Sequence, residues 1–294
     1  DVARAGAAVR AASAKAASAA AGKVLIAEIP AIASVLHVQL GVSKERVKRL
    51  VLRWPRLLEV SGYKVGQCVE WLVETVGMTQ ENVAKLVLSH PPIIIKSVKQ
   101  QLQPNLNWLE NDLGLTRSEV QKVVRSCPQL LVKSVSSNFL PKLEFFDKRI
   151  GIERDSIRGM LVRYPQLFNF SLDNMTWKAR WLQEELMLDQ KGLKGVVTRC
   201  PSVFAYSAER NLVPTIEFFL DELGATKMQI RQAVVKQPRL LGMSLETRLV
   251  PRVQELRGAG FTPSWQAHHG IMLFASDAVF RKWLEDEASG VLAR

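Results

Sequence analysis

Several common architectures are missing from this chain before any motif is sought. It has only three cysteines, Cys68, Cys127 and Cys200. So sparse and odd a set cannot frame a secreted disulfide scaffold, and without a C-x-x-C pair no zinc ribbon is expected. No apolar run approaches the roughly 18–20 residues that cross a bilayer, so no spanning helix and no membrane partner are expected. GxxxxGK[ST] and GxSxG are both absent, which removes a phosphate loop and a nucleophile elbow. The four histidines are His37, His90, His268 and His269; none stands in HExxH spacing, and the 268–269 pair has no cysteine near it. No catalytic residue, cofactor or metal site is expected, and the chain does not read as an enzyme.

Acid is missing from one region: none lies between Asp1 and Glu28, while Arg4, Arg10, Lys15 and Lys23 do. With its Ala and Ser content, the 1–27 segment has the composition of an organelle-targeting peptide or its remnant. A plain Ala-rich helix has the same composition. It offers no large apolar face, so residues 1–22 are expected to order only against a partner. Over the whole 294 residues the apolar fraction is 47%, the charged fraction 23% and the net charge +12. Such a chain is globular rather than disordered, and its charge favours a polyanionic partner such as nucleic acid.

A repeat organises the rest. Pro55, Pro91, Pro128, Pro165, Pro201 and Pro238 are spaced by 36 or 37 residues, in "WPRLLEVS", "HPPIIIKS", "CPQLLVKS", "YPQLFNFS", "CPSVFAYS" and "QPRLLGMS". A fixed period of this size means a stack of helical units that cannot bury their apolar faces singly. Before each proline the spacing predicts a leading helix, with apolar stripes such as Val120, Val123, Val124 and Cys127; Ile157, Met160, Leu161 and Tyr164; and Ile230, Ala233, Val234 and Gln237. A residue before proline avoids the helical region, so the helix ends there. Two buried side chains follow, then a serine (Ser61, Ser97, Ser134, Ser171, Ser207 or Ser244) placed to cap the next helix. In four units a second proline (Pro104, Pro141, Pro214 or Pro251) is expected in the first turn of a trailing helix. That helix is expected to stop at Gly77, Gly114, Gly151, Gly224 or Gly260. The unit from Pro165 departs, with Lys178 in place of the second proline and "LML" in place of the glycine. "IPAIASVLHVQLG" reads as a half-unit, and residues 261–294 as a degenerate seventh unit or cap. No linker divides the array.

The P-x-hydrophobic-hydrophobic element at this spacing, the later proline and the Leu-Gly ending resemble the repeat of the mitochondrial transcription termination factor (mTERF) family over roughly residues 30–260. Tetratricopeptide repeats, at 34 residues and with a different signature, fit less well, as do HEAT-like repeats. The resemblance implies an all-α, left-handed superhelical half-doughnut of about six to seven helical repeats, with the repeat domain over residues 28–260. It implies a concave basic face holding structured RNA or duplex DNA, and a role in organellar gene expression, in the mitochondrion or, alternatively, the chloroplast.

The repeat motif marks packing positions, so contacts must be sought by charge. Two residues before the proline stand Arg53, Arg163, Arg199 and Lys236. Six or seven before it stand Lys48 and Arg49, Lys85, Lys122, Arg158, Lys194 and Arg231. Arg125 lies three before, and Lys96 and Lys133 occupy the connectors. Equivalent positions in a stack form rows, and a row of cations can follow phosphates without reading bases. The outer face of any amphipathic helix is also charged, and Glu81, Glu119 and Asp155 share these helices. Three functions remain open: a nucleic-acid-binding factor, with structured RNA ahead of duplex DNA and transcription termination as the DNA form; a stable subunit of an organellar ribosome or other ribonucleoprotein, touching its proteins too; and a protein-binding helical scaffold.

Overall fold

Six residues that precede a proline share one backbone conformation. Trp54, His90, Cys127, Tyr164, Cys200 and Gln237 have φ between −134° and −144° and ψ between 67° and 82°. The clash between a proline ring and the residue before it forces each out of the helix. The leading helices therefore end on schedule: Lys44–Arg53, Gln80–Ser89, Arg117–Ser126, Arg154–Arg163, Gln190–Arg199 and Lys227–Lys236. These bounds come from a computed structural model, which describes residues 31–292. The Ala-rich tail and its expected ordering lie outside the described residues.

After each proline comes a single tight turn, and its second and third residues plug the core. Leu57, Ile93, Ile94, Leu130, Leu131, Leu167, Phe168, Val203, Phe204, Leu240 and Leu241 are all buried to within 1%. The serine then caps the trailing helix in every unit. Its hydroxyl accepts from the backbone N–H three residues on, for example Gln100 at 3.2 Å from Ser97 and Thr247 at 3.1 Å from Ser244. Among the described residues the chain is helix and turn with no strand. It is an all-α solenoid of helix pairs.

Contrary to the expectation from sequence, the second proline does not open the trailing helix. The helix starts at the serine, and the proline lies within it, just after a π turn in each case: Val98–Leu102, Val135–Phe139, Ala208–Leu212 and Leu245–Leu249. Wide i→i−5 bonds mark these turns, from Leu102 N–H to Ser97 O at 3.1 Å and from Leu212 N–H to Ser207 O at 3.0 Å. A proline inside an α-helix loses one bond and clashes with the preceding turn, and a π bulge is a known way to absorb such a disturbance. The two trailing helices without the proline, Gly62–Glu74 and Leu172–Glu185, are α throughout.

Each π turn inserts one residue and so moves one particular position. Fourteen residues after the first proline, or thirteen where the π turn is absent, a side chain turns inward. It donates to the connector carbonyls of the next repeat. Cys68 Sγ reaches Ile93 O at 3.7 Å, Asn105 Nδ2 reaches Leu131 O at 2.8 Å, and Lys142 Nζ and Lys178 Nζ reach Phe168 O and Phe204 O at 2.6 Å each. Arg252 closes the series against Met272 O at 2.6 Å. Burial pushes the Cys68 thiol up to about 12 and holds the Lys178 ammonium below its ordinary range. Thr215 stands at the same place in the fifth repeat; its hydroxyl is buried without a hydrogen-bond partner.

Residues up to Phe139 form one compact unit and residues from Leu140 a second, and the boundary falls between a π turn and the α-helical segment after it. In the first unit a helix over 31–40 precedes the first full repeat, and Trp108 stacks on Phe139 at 5.2 Å. In the second, Phe146 meets both Phe168 and Phe204 across repeats. Its end is formed by Trp265–Phe274 and Asp277–Leu292. At the departing repeat, Met187 takes the left-handed conformation (φ 48°) that glycine holds elsewhere, as at Gly151 (φ 78°).

Candidate nucleic-acid interface

Charge is divided between the two kinds of helix. Lys227–Lys236 has three cations and no acid, and so has Gln190–Arg199. Lys44–Arg53 has five cations against Glu45 alone. Gln80–Ser89 is balanced, with Lys85 paired to Glu81 at 2.6 Å, which holds the Glu81 carboxyl below its usual range. The trailing helices differ. With the buried Lys142, Lys178 and Arg252 set aside, none has more cations than acids. Cations therefore outnumber acids on five of the six leading helices, Gln80–Ser89 being the exception.

Besides Lys85, paired to Glu81, the other twelve candidate cations fall into groups. Arg49, Arg53, Lys122, Arg125 and Lys236 are exposed, and their side chains reach solvent from leading helices. Arg163 and Arg199 are also exposed, but each reaches over to the next leading helix. Arg163 Nη2 donates to Thr198 O at 2.8 Å, and Arg199 Nη2 donates to Val235 O. Both carbonyls belong to the last turn of a helix, where acceptors are left over, so these two arginines also staple neighbouring repeats. Arg199 lies over Gly195, where a Cβ would come 3.1 Å from its Nη2. Lys194 bridges repeats by an ion pair with Glu153 at 2.5 Å, and that carboxyl is held low. Arg158, Arg231, Lys96 and Lys133 are half-buried.

Two grooves open beside these residues. One, of about 720 Å³, lies between Gln190–Arg199 and Lys227–Lys236; Lys191, Lys194, Arg199 and Arg231 line it, with Met228 half exposed. The other, of about 660 Å³, lies beside the second connector, where Lys64, Lys96 and Lys99 meet Glu70 and Glu74. The first is lined by cations with Asp189 as its one acid; the second is mixed.

Sequence reasoning missed the inward donors Asn105, Lys142 and Arg252. A polar residue recurring inside an apolar face was the signal available. Gln237, assigned to an apolar stripe, is exposed, because it closes the helix and its amide faces solvent. His90 holds a packing position; its Nε2 is buried without a partner, and burial holds the imidazole below its ordinary pKa. Among the described residues no three of His, Cys, Asp and Glu converge on a metal-sized site, and no helix is long and apolar enough to cross a membrane.

A comparison with curated proteins finds no match. The mTERF family model matches residues 27–150, 146–233 and 193–281 in overlapping stretches.

Proposed function

The chain belongs to the mTERF family, and from that premise we propose that it grips the backbone of a structured RNA through its leading helices, in organellar gene expression. The family is one of helical, nucleic-acid-binding organellar proteins, mitochondrial or chloroplast. The observation that carries the reading is the division of charge: cations crowd the leading helices, and exposed cations nowhere exceed acids on the trailing ones. Side chains of this kind bind phosphates and position a partner without reading sequence. Rows of cations suit A-form RNA, whose major groove is too deep and narrow to read and which proteins hold mostly by shape and backbone. Duplex DNA is usually read by an element entering the major groove.

Anisotropy titrations with an RNA duplex and a DNA duplex of the same sequence, between about 50 and 200 mM salt, test this. Tighter binding to RNA with a steep salt dependence is expected. Preference for DNA would move the reading to a transcription factor, and salt-independent or absent binding of both would leave a protein scaffold. Co-sedimentation with ribosomal RNA from organelle extracts would make the partner a ribonucleoprotein.

A further inference from the structure

The trailing helices of the second unit present a feature that phosphate binding does not use. On each, the residue just before the inward donor faces out, about 100° round the helix from it. These residues are Pro141, Trp177, Pro214 and Pro251, all half-buried or exposed. Leu140, Val213 and Val250 stand beside the three prolines. Leu140 is 43% exposed, Trp177 50% and Val250 37%. Trp177 stacks on Trp181 at 6.4 Å and 22°, so the most exposed aromatic side chain of the row is held in place. In the first unit the corresponding pairs are Gly66–Gln67 and Gln103–Pro104, which are largely polar.

Acids border this apolar row and outnumber the cations among them. Asp173, Glu209 and Glu246 are exposed on one side. On the other, Glu144, paired to Lys148, and Glu217 stand where the Trp177 helix has Arg180, with Glu184 one turn further on. Arg149, Arg210 and Arg257 are the other exposed cations on these helices. The excess of acid disfavours a nucleic-acid backbone here. Packed helices lie about 8–10 Å apart, so the row repeats at that interval over roughly 25–30 Å. An α-helix rises about 10.5 Å in seven residues. A helix laid across the row would therefore meet it once per heptad.

We propose that this face docks a basic amphipathic helix of a protein partner, with large apolar side chains at heptad spacing over the Leu140–Val250 row and lysines or arginines against the bordering acids. The partner sits on the trailing helices and leaves the leading helices to the polyanion. The inference stands on the apolar row and its acids, independently of the RNA reading.

The test uses the full chain, free of nucleic acid, and a labelled synthetic helix of roughly 20 residues built from leucine at heptad spacing and lysine. A leucine–glutamate isomer serves as control. The lysine peptide should bind, and the glutamate isomer should not. Trp177→Ser should weaken binding by tenfold or more, as should the double change Glu209→Lys with Glu246→Lys. RNA affinity should be unchanged in Trp177→Ser and should not fall in the charge-reversed protein, which separates failure here from failure of the RNA reading. The inference is overturned if both peptides bind alike or if Trp177→Ser leaves affinity unchanged. It is also overturned if deletion of residues 1–22 raises peptide affinity tenfold, since the chain's own basic tail would then be the occupant. Self-association lost in Trp177→Ser would overturn it in favour of a second copy.

Discussion

Leading and trailing helices bury apolar stripes of the same kind and use their polar residues in opposite directions. The leading helix sends cations outward, to solvent from Arg53 and Lys236 and across to the next helix end from Arg163 and Arg199. The trailing helix sends a donor inward, to the connector of the next repeat, as Lys142 and Lys178 do. A buried unpaired carbonyl costs more than a made bond gains, so the inward donors fix the register of the stack. The proposed ligand surface is left to the outward cations. The difference teaches that the helix of the pair on which a cation stands decides whether it faces a buried connector or the surface.

The largest effect should come from the element both helices share. Leu131 is fully buried in the third connector, and Leu131→Ala should cost about 2–5 kcal/mol. The loss should spread to neighbouring repeats, because each covers the next. Unchanged denaturant unfolding would remove that leucine from the inter-repeat core.

Next comes the inward donor. Lys178→Met leaves Phe204 O without its partner, at a cost of about 1–3 kcal/mol. Because burial holds the folded-state pKa of Lys178 below its unfolded value, the folded state binds fewer protons over the window between the two. Stability of the parent protein therefore rises with pH through that window, toward about 10.4. The variant lacks this contribution, so the gap between the two proteins should widen as pH rises. Parallel stability–pH curves would show that the lysine is not desolvated in the fold.

Smaller again is the cap. Ser134→Ala loses the bond from Ser137 N–H at 3.3 Å and should cost about 1 kcal/mol. Equal loss at Ser134→Gly would speak against the hydroxyl, since glycine is itself a tolerated cap. On the leading side, Arg163→Gln should cost under about 1 kcal/mol, because the staple to Thr198 O is exposed. A loss as large as that of Lys178→Met would erase the contrast between the two helices.

Much of this division was legible in the sequence, and the reason is local sterics. A proline dictates the conformation of the residue before it, so all six helix ends could be placed from Pro55 to Pro238. A serine hydroxyl reaches only three residues on, so all six caps could be placed too. The π turns were not legible. Pro104 and its equivalents look like helix starts until the helix is known to begin at the serine. The inward donors were hidden for a related reason: their position shifts by one residue wherever the π turn is missing, and asparagine, lysine and arginine take turns at it. The cations of the candidate interface could be found by counting. That Arg163 and Arg199 also serve the next helix depends on the distance between stacked repeats, which no single unit specifies.

The central claim is that the outward cations of the leading helices meet phosphate. Arg49, Arg53, Arg125 and Lys236 are exposed on those helices, and replacing all four by glutamine should leave the melting curve in place. The slope of log affinity for duplex RNA against log salt should become shallower by about 3–4 units, close to 0.9 for each phosphate no longer neutralised. Affinity for unrelated duplexes should fall by the same factor, since holding a phosphate does not specify a base. A quadruple variant that folds as before and keeps both affinity and slope would contradict the account, and the leading-helix cations would then be a solvated surface only.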